Sequence, residues 1–412
     1  MPLPRPRSVL IVAAGVAVLL AACRSAPEEP PAPVPVRPAW RAVELPLPPG
    51  PAGRPLLRDA AHCAGRWYAV GGLVDPAGET RPAAWSSPDG VTWAALPMRP
   101  QTFYGRQHVL YAVACRDGGM AALGAKTGGV HGNPRTGSWV WRPGGPVREV
   151  PAAFELFGGP RAVSASRLAA GPGGWLIAGA RTDGAAVWTS PDAGGFVVRE
   201  GVAELAGDAR GRTAASDAVA LGSGWLVVGS LLPAGGTALT PLAWSSADGR
   251  SWRRVALPAE AGGSAQPTEA GGSAQPTDGG GVAERVVLCD GAPTAVGPVR
   301  DGFAVWRSPT GGSGGWRRVG GFGAVGPGVS SVTGLVAAGG RLVAVTGDGA
   351  DRRLWISGDG GVSWRPVIVP TPVPARGDAA LAVAAGADGL LAVADDGKAS
   401  RAWWTALPSV DE

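Results

Sequence analysis

Short apolar runs recur along this chain in pairs, each pair split by a glycine-rich break. Leu168-Ala-Ala is followed by Gly171-Pro-Gly-Gly and then Trp175-Leu-Ile-Ala-Gly179. Asp217-Ala-Val-Ala-Leu221 and Trp225-Leu-Val-Val-Gly229 flank Gly222-Ser-Gly224, and Leu335-Val-Ala-Ala and Leu342-Val-Ala-Val345 flank Gly339-Gly-Arg341. Runs this short, bounded by turn residues, predict β-hairpins rather than helices. A third apolar run ending in a tryptophan follows each hairpin, at Trp85, Trp141, Trp188, Trp244, Trp306, Trp355 and Trp403. A fourth follows a polar turn, as in Trp252-Arg-Arg-Val-Ala-Leu-Pro258 and Trp364-Arg-Pro-Val-Ile-Val-Pro370. Four strands in about 50 residues, seven times over, predict an all-β fold, a seven-bladed β-propeller of four-stranded blades.

The two ends of the array complete the count. The last unit, from about Ala380 to Pro408, has three strands, whereas Trp40-Arg-Ala-Val-Glu-Leu-Pro46 reads as a fourth strand with no blade of its own. Pairing that N-terminal strand with the last blade removes two exposed sheet edges and closes the ring.

Composition supports this reading and narrows the function. With 67 Gly and 40 Pro among 412 residues, helical bundles and coiled coils are excluded, since both residues break helices. Seventeen Trp and 45% hydrophobic residues exclude a disordered chain. A net charge of +5 over this length makes no case for nucleic acid.

The first residues have their own pattern: basic Arg5 and Arg7, an uncharged apolar run from Val9 to Ala22, and Leu20-Ala21-Ala22-Cys23 at its end. The run is shorter than the ~20 residues that span a bilayer and suits a signal-peptide core. Its end resembles the lipobox of bacterial lipoproteins. That resemblance implies cleavage after Ala22, lipidation of Cys23 and an extracytoplasmic protein anchored to the cell membrane, and the dominance of Arg over Lys reads as the coding bias of a GC-rich bacterium. The domains expected are a signal peptide (1–22), a Pro-rich tether (23–39) and the propeller (40–410). A nine-residue duplication, Glu260–Thr268 and Glu269–Thr277, marks a low-complexity insert at 259–281 between blades four and five.

Between third and fourth strands runs Ser87-Pro-Asp89-Gly90-Val-Thr-Trp93, with counterparts Ser246/Asp248/Trp252 and Ser357/Asp359/Trp364. Ser190-Pro-Asp192 is a degenerate copy ending in Phe196, and Ser308-Pro-Thr310 lacks the carboxylate. These segments resemble the Asp-box (BNR) repeat of sialidase-like propellers. In such a turn Asp accepts backbone N–H bonds, Gly takes positive φ and Trp covers the hairpin, so the Asp residues are expected to be structural.

Sialidase activity would require an Arg-Ile-Pro motif, an arginine triad and a late tyrosine nucleophile. No Arg-Ile-Pro occurs here, and Tyr68, Tyr104 and Tyr111 all lie in the first third. His62, His108 and His131 show no zinc-ligand spacing, Gly311–Gly315 matches Gly-x-Ser-x-Gly without a following His, and Gly397-Lys398 lacks a phosphate-loop glycine. No metal or cofactor is expected. Cys63, Cys115 and Cys289 fall at equivalent places near the end of an inner strand. They read as buried small hydrophobes, with a Cys63–Cys115 bridge between neighbouring blades as the alternative.

Ligand-rim candidates lie in the connectors between blades: Tyr104, Arg106 and His108; Phe157 and Arg161; Arg212; Arg376 and Asp378. Aromatics mixed with charges suit a sugar or a peptide. The function expected is a noncatalytic binding or assembly module, monomeric, for a glycan or an envelope protein. The alternative is a carbohydrate-active enzyme with a non-standard active site, to which two carboxylates with an Arg at the channel mouth would point.

Overall fold

The computed structural model describes residues 33–127, 134–259, 280–309, 311–326 and 328–409. The expected signal peptide, Cys23, His131 and nearly all of the duplicated insert lie outside them. Seven sheets stand in a ring, each with its inner strand first in sequence. Blade 1 is Arg54–Cys63, Arg66–Val74, Thr80–Ser87 and Ala94–Ala95. Blade 7 is Ala380–Gly386, Gly389–Asp395 and Ser400–Thr405, completed on the outside by Arg41–Val43. That pairing is antiparallel, with Arg41 opposite Trp404 and Val43 opposite Ala402, so the N-terminal strand closes the ring as its sequence predicts.

Blade 2 gains a short fifth strand, Met98–Arg99, parallel to its outer strand. In blade 6, Val373–Pro374 adds to the third strand beyond the outer one. The Pro-rich segment joins the fold before residue 40. Val36 bridges Val367 of blade 6, donating its N–H to the Pro366 carbonyl at 2.8 Å, and Trp40 Nε1 donates to the Ile368 carbonyl at 2.8 Å. Gly281, at the end of the expected insert, already bridges Val299.

The core is a ring of seven apolar clusters, each shared by two neighbouring blades. One large tryptophan enters each seam: Trp85, Trp139, Trp188, Trp244, Trp306, Trp355 and Trp403. In blade 2 the repeat-equivalent residue is Trp139 rather than the expected Trp141. Trp139 pairs with Ala122 as Trp85 pairs with Ala69, and it is fully buried. Four of these indoles also tie down the connector entering their blade, donating to the carbonyls of Pro46, Leu156, Glu204 and Pro258 at 2.7 to 2.8 Å.

Inner strands carry β-bulges, for example between Leu57 and Asp59 and between Ala215 and Asp217. A bulge pushes the inner strand's backbone against the second strand. A Cβ at Gly71 would lie 1.8 Å from the Leu56 carbonyl oxygen, and one at Gly229 2.0 Å from that of Ala214. In blades 1, 3, 4 and 5 the glycine late in the second strand, Gly71, Gly179, Gly229 or Gly297, therefore makes room for a neighbouring backbone.

Candidate functional site

The two ends of the blades use their polar residues differently. At the end where third strands turn into fourth strands, the Ser-Asp-Trp segments form closed hydrogen-bond systems. Asp89 Oδ1 accepts from Val91 N (2.8 Å), Thr92 N (2.6 Å) and Ser87 Oγ (3.0 Å), while Gly90 N donates to Ser87 Oγ at 2.8 Å. Asp248 accepts from Arg250 N and Ser251 N, both at 2.8 Å. Asp359 accepts from Val362 N and Ser363 N at 3.0 Å and from Ser363 Oγ at 2.5 Å. These donors favour the charged form. The amides of Thr92 and Val91 hold Asp89 far below the usual carboxylate range, and those of Ser251 and Arg250 lower Asp248. Burial pushes Asp359 up, but its bonds from Ser363, Ser357 and Val362 outweigh that and leave it lowered.

The degenerate copies keep parts of the turn. Asp192 accepts from Gly194 N at 2.8 Å, whereas Ser190 Oγ stands 3.5 Å away. In blade 5, Ser308 Oγ accepts from Gly312 N at 3.1 Å, and Trp316 Nε1 donates to the Gly312 carbonyl at 3.2 Å. Trp93 and Trp364 close their turns by donating to Gly90 and Gly361, but the indole N–H of Trp252 has no partner. Cys63 and Cys115 form a disulfide at this same end, joining blades 1 and 2, so of the two readings of these cysteines the bridge holds. Cys289 is free and buried.

Charged groups also meet on the inner strands. Asp59 pairs with Arg167 (Nη1–Oδ2 3.1 Å), and the charges of Asp217 and Arg285 act on the same arginine. Two carboxylates with an arginine are the pattern that would suit hydrolysis. Here both are buried, at 3% and 9% exposure, and are spent on neighbouring backbone. Asp59 accepts Val113 N of blade 2 at 2.9 Å, and Asp217 accepts Val286 N of blade 5 at 3.1 Å. Glu284 does the same for Val332 N of blade 6. Each carboxylate thus staples its inner strand to the next blade.

At the opposite end, connectors and inner-strand starts form a groove between blades 2 and 3. One cavity of about 240 Å³ is lined by Thr102, Tyr104, His108, Arg135, Glu149, Phe154 and Phe157, among others. A second, of about 300 Å³, shares Arg135, Thr136, Phe154 and Phe157 and continues past Pro160 to Val163. Larger hollows of about 640 and 560 Å³ lie elsewhere, one between the Ala42–Leu47 and Ser400–Trp403 segments and Pro55 and Leu57 of blade 1, the other along the turns of blade 4 around Trp225, Asp248 and Trp252. The groove has an aromatic surface: Phe154 is 54% exposed and Tyr104 41%, and the exposed Phe103 ring stands edge-on to Tyr104 beyond the lining. Arg135 begins the third strand of blade 2, with its Cζ 4.7 Å from the Phe154 ring centroid and 5.4 Å from that of Tyr104. Glu149 is occupied by Gln101 N (2.6 Å), Thr102 N (2.8 Å) and Thr102 Oγ1 (2.5 Å), which fix the connector bearing Tyr104.

The rim candidates divide accordingly. Tyr104 and Phe157 come together in the groove. His108 borders it but is not an open ligand residue, being 2% exposed with Nδ1 accepting from Trp139 Nε1 at 3.1 Å. Burial lowers its pKa to about 4, so it packs as a neutral ring. Its place just ahead of an inner strand, opposite a seam tryptophan, explains this. Arg161 is tied to Asp183 and Glu200. Arg106, Arg212, Arg376 and Asp378 are exposed and do not line the groove. Arg135 is the residue that sequence reasoning missed. Its signal is weak, an Arg after Pro134 at the start of a third strand, on the same end as the connectors.

Strand order and ring closure define a closed seven-bladed β-propeller. No family model matches the chain, and no curated protein matches it. Among solved structures it is similar to a puromycin-hydrolysing peptidase of Mycobacterium tuberculosis (14% identity, TM-score 0.47), covering 86% of this chain and 52% of that one. It is also similar to the Hadza microbial sialidase Hz136 (11%, TM-score 0.43), covering 86% of this chain and 65% of the sialidase. The β-propeller domain of the Trilobed protease from Pyrococcus furiosus is similar at 9% identity and TM-score 0.43, with 86% and 96% covered. The chain thus spans about half the peptidase and less than two thirds of the sialidase. At these identities and TM-scores the likenesses carry no argument about activity.

Proposed function

We propose that this protein is an envelope lipoprotein, anchored through Cys23, whose Asp-box propeller binds a partner in the groove between blades 2 and 3. The observation that carries the binding role is the exposed aromatic rim around a cation, with Tyr104 and Phe154 beside Arg135. Exposed aromatics grouped around a cavity are costly in water unless a ligand covers them. The Cys63–Cys115 bridge supports an oxidising, extracytoplasmic compartment, where disulfides persist. The saturated turn and inner-strand carboxylates support binding rather than hydrolysis.

Two measurements test the reading. Cys23→Ser should move the protein from the membrane to the soluble fraction, and continued membrane association would count against the anchor. A photo-crosslinking residue at Val163, on the groove, should capture a partner in intact cells. One at Val362, exposed in the turn at the other end of its blade, should not. Equal labelling at both ends would remove the groove as the binding surface.

A further inference from the structure

We infer that the groove between blades 2 and 3 takes a carboxylate carried next to an apolar group, with Arg135 holding the carboxylate. This deepens, and rests on, the reading of the groove as the binding site. Arg135 is half-buried, and its Nε is out of contact with water and without a hydrogen-bond partner. Among the described residues no carboxylate comes within ion-pair distance of its guanidinium. The rings of Phe154 and Tyr104 attract the cation but do not accept its N–H groups as an oxyanion does. Glu149, the one carboxylate on the groove wall, already serves Gln101 and Thr102.

Some half-buried or buried arginines of this protein meet carboxylates: Arg58 with Asp395 at 2.8 Å, Arg167 with Asp59 at 3.1 Å, and Arg181 with Glu200 at 2.7 Å. Arg199, Arg318 and Arg352 share the unpaired Nε of Arg135, but of these four only Arg135 lines the groove. A guanidinium N–H removed from water and left unpaired is costly. Its planar fork matches a carboxylate through two parallel hydrogen bonds.

The neighbouring cavity sets the rest of the ligand. Apart from Arg135, its side-chain polar groups are the hydroxyls of Thr136 and Ser164, against Pro134, Phe154, Phe157, Pro160 and Val163. A sugar ring needs more donors and acceptors than this wall offers, whereas an aliphatic or aromatic side chain needs none. At about 300 Å³ it lies at the lower end of small-ligand sites. The shared chemistry is that of an N-acylated apolar amino acid, met as a free acid or as the C-terminal residue of a peptide.

The test is calorimetric titration of the full chain in detergent with N-acetyl-L-phenylalanine, its neutral amide, and an acetylated tripeptide ending in phenylalanine. The acid should bind at least about tenfold more tightly than the amide, the effect expected of a charge-assisted hydrogen-bonded pair. Arg135→Gln should bring the two to parity, and Phe154→Ala should weaken both alike, each variant melting as the wild type does. Tighter binding of the tripeptide than of the free acid identifies a chain end as the source, and the reverse a free acid. Equal binding of acid and amide overturns the inference, as does binding of neither. If crosslinks at Val163 persist in that case, the groove still binds a partner, of different chemistry, and only the carboxylate assignment falls.

Discussion

The turn end and the rim end of the same blades are built from the same strands, yet they leave their polar groups in opposite states. At the turn end, Asp89, Asp248 and Asp359 each accept several hydrogen bonds from their own turn, and a disulfide joins two blades. At the rim end between blades 2 and 3, a guanidinium lies among exposed aromatic rings with its Nε unpaired. A carboxylate held by the amides of its own turn is committed to the scaffold, whereas a cation with an unpaired N–H on an apolar wall gains free energy when something binds. Charge alone therefore does not mark a site in this fold. What marks it is an unpaired buried donor on the wall of an aromatic cavity.

The largest effects should come from groups common to both ends. Trp306 is fully buried in the seam of blades 4 and 5, and its indole N–H donates to the Pro258 carbonyl at 2.8 Å. Trp306→Ala should cost about 3–5 kcal/mol in denaturant unfolding. A loss under about 1 kcal/mol would show that the seams do not carry the ring. Next, replacing Cys63 and Cys115 together by Ala should cost about 2–4 kcal/mol under oxidising conditions and nothing measurable in reductant. Equal stability of the two proteins without reductant would dissolve the contrast between a stapled and an open end.

Much of the scaffold was legible because repeats multiply weak signals. One Trp near a strand end says little, but seven at regular spacing gave the blade count, and an orphan strand at Trp40–Pro46 gave the closure. Registration was less secure. Trp139 and Trp141 sit on the same strand, facing the same way, and only the pairing of Trp139 with Ala122 separates them. The site was harder to read, since rim loops follow no repeat. His108 looked like a ligand residue and is a buried neutral ring, because a connector's last residue can turn inward against a seam tryptophan. Arg135 lacked any motif; its meaning comes from Tyr104 and Phe154, distant in sequence. The cysteine bridge depended on how closely blades 1 and 2 approach, 6.0 Å between Cα atoms, which spacing along the chain does not fix.

A turn carboxylate should matter less than a seam. Asp359→Ala should cost about 1 kcal/mol, as loss of a helix-capping carboxylate does. Because the folded pKa of Asp359 is depressed, its contribution is complete above the unfolded value near 4 and is lost as pH falls through the folded value. The stability gap between wild type and Asp359→Asn should hold steady from pH 8 to about pH 5 and close below about pH 4. A gap that widened in acid would contradict the saturated-turn account.

The smallest expected effect on stability is also the most telling for the comparison. Arg135→Met keeps an unbranched chain against Phe154 and Tyr104 while deleting the guanidinium. The change forfeits cation–π attraction of about 0.5–1 kcal/mol. It also relieves a buried donor of its missing partner, a cost of about 1–3 kcal/mol when such a group goes unpaired. The relief matches or exceeds the loss, so melting should hold or shift upward. Natural sites that hold binding groups at the expense of stability behave in this way. If Arg135→Met instead lost about 2 kcal/mol or more, the guanidinium would be a structural group like Asp89 or Asp359, and the rim would be as closed as the turns.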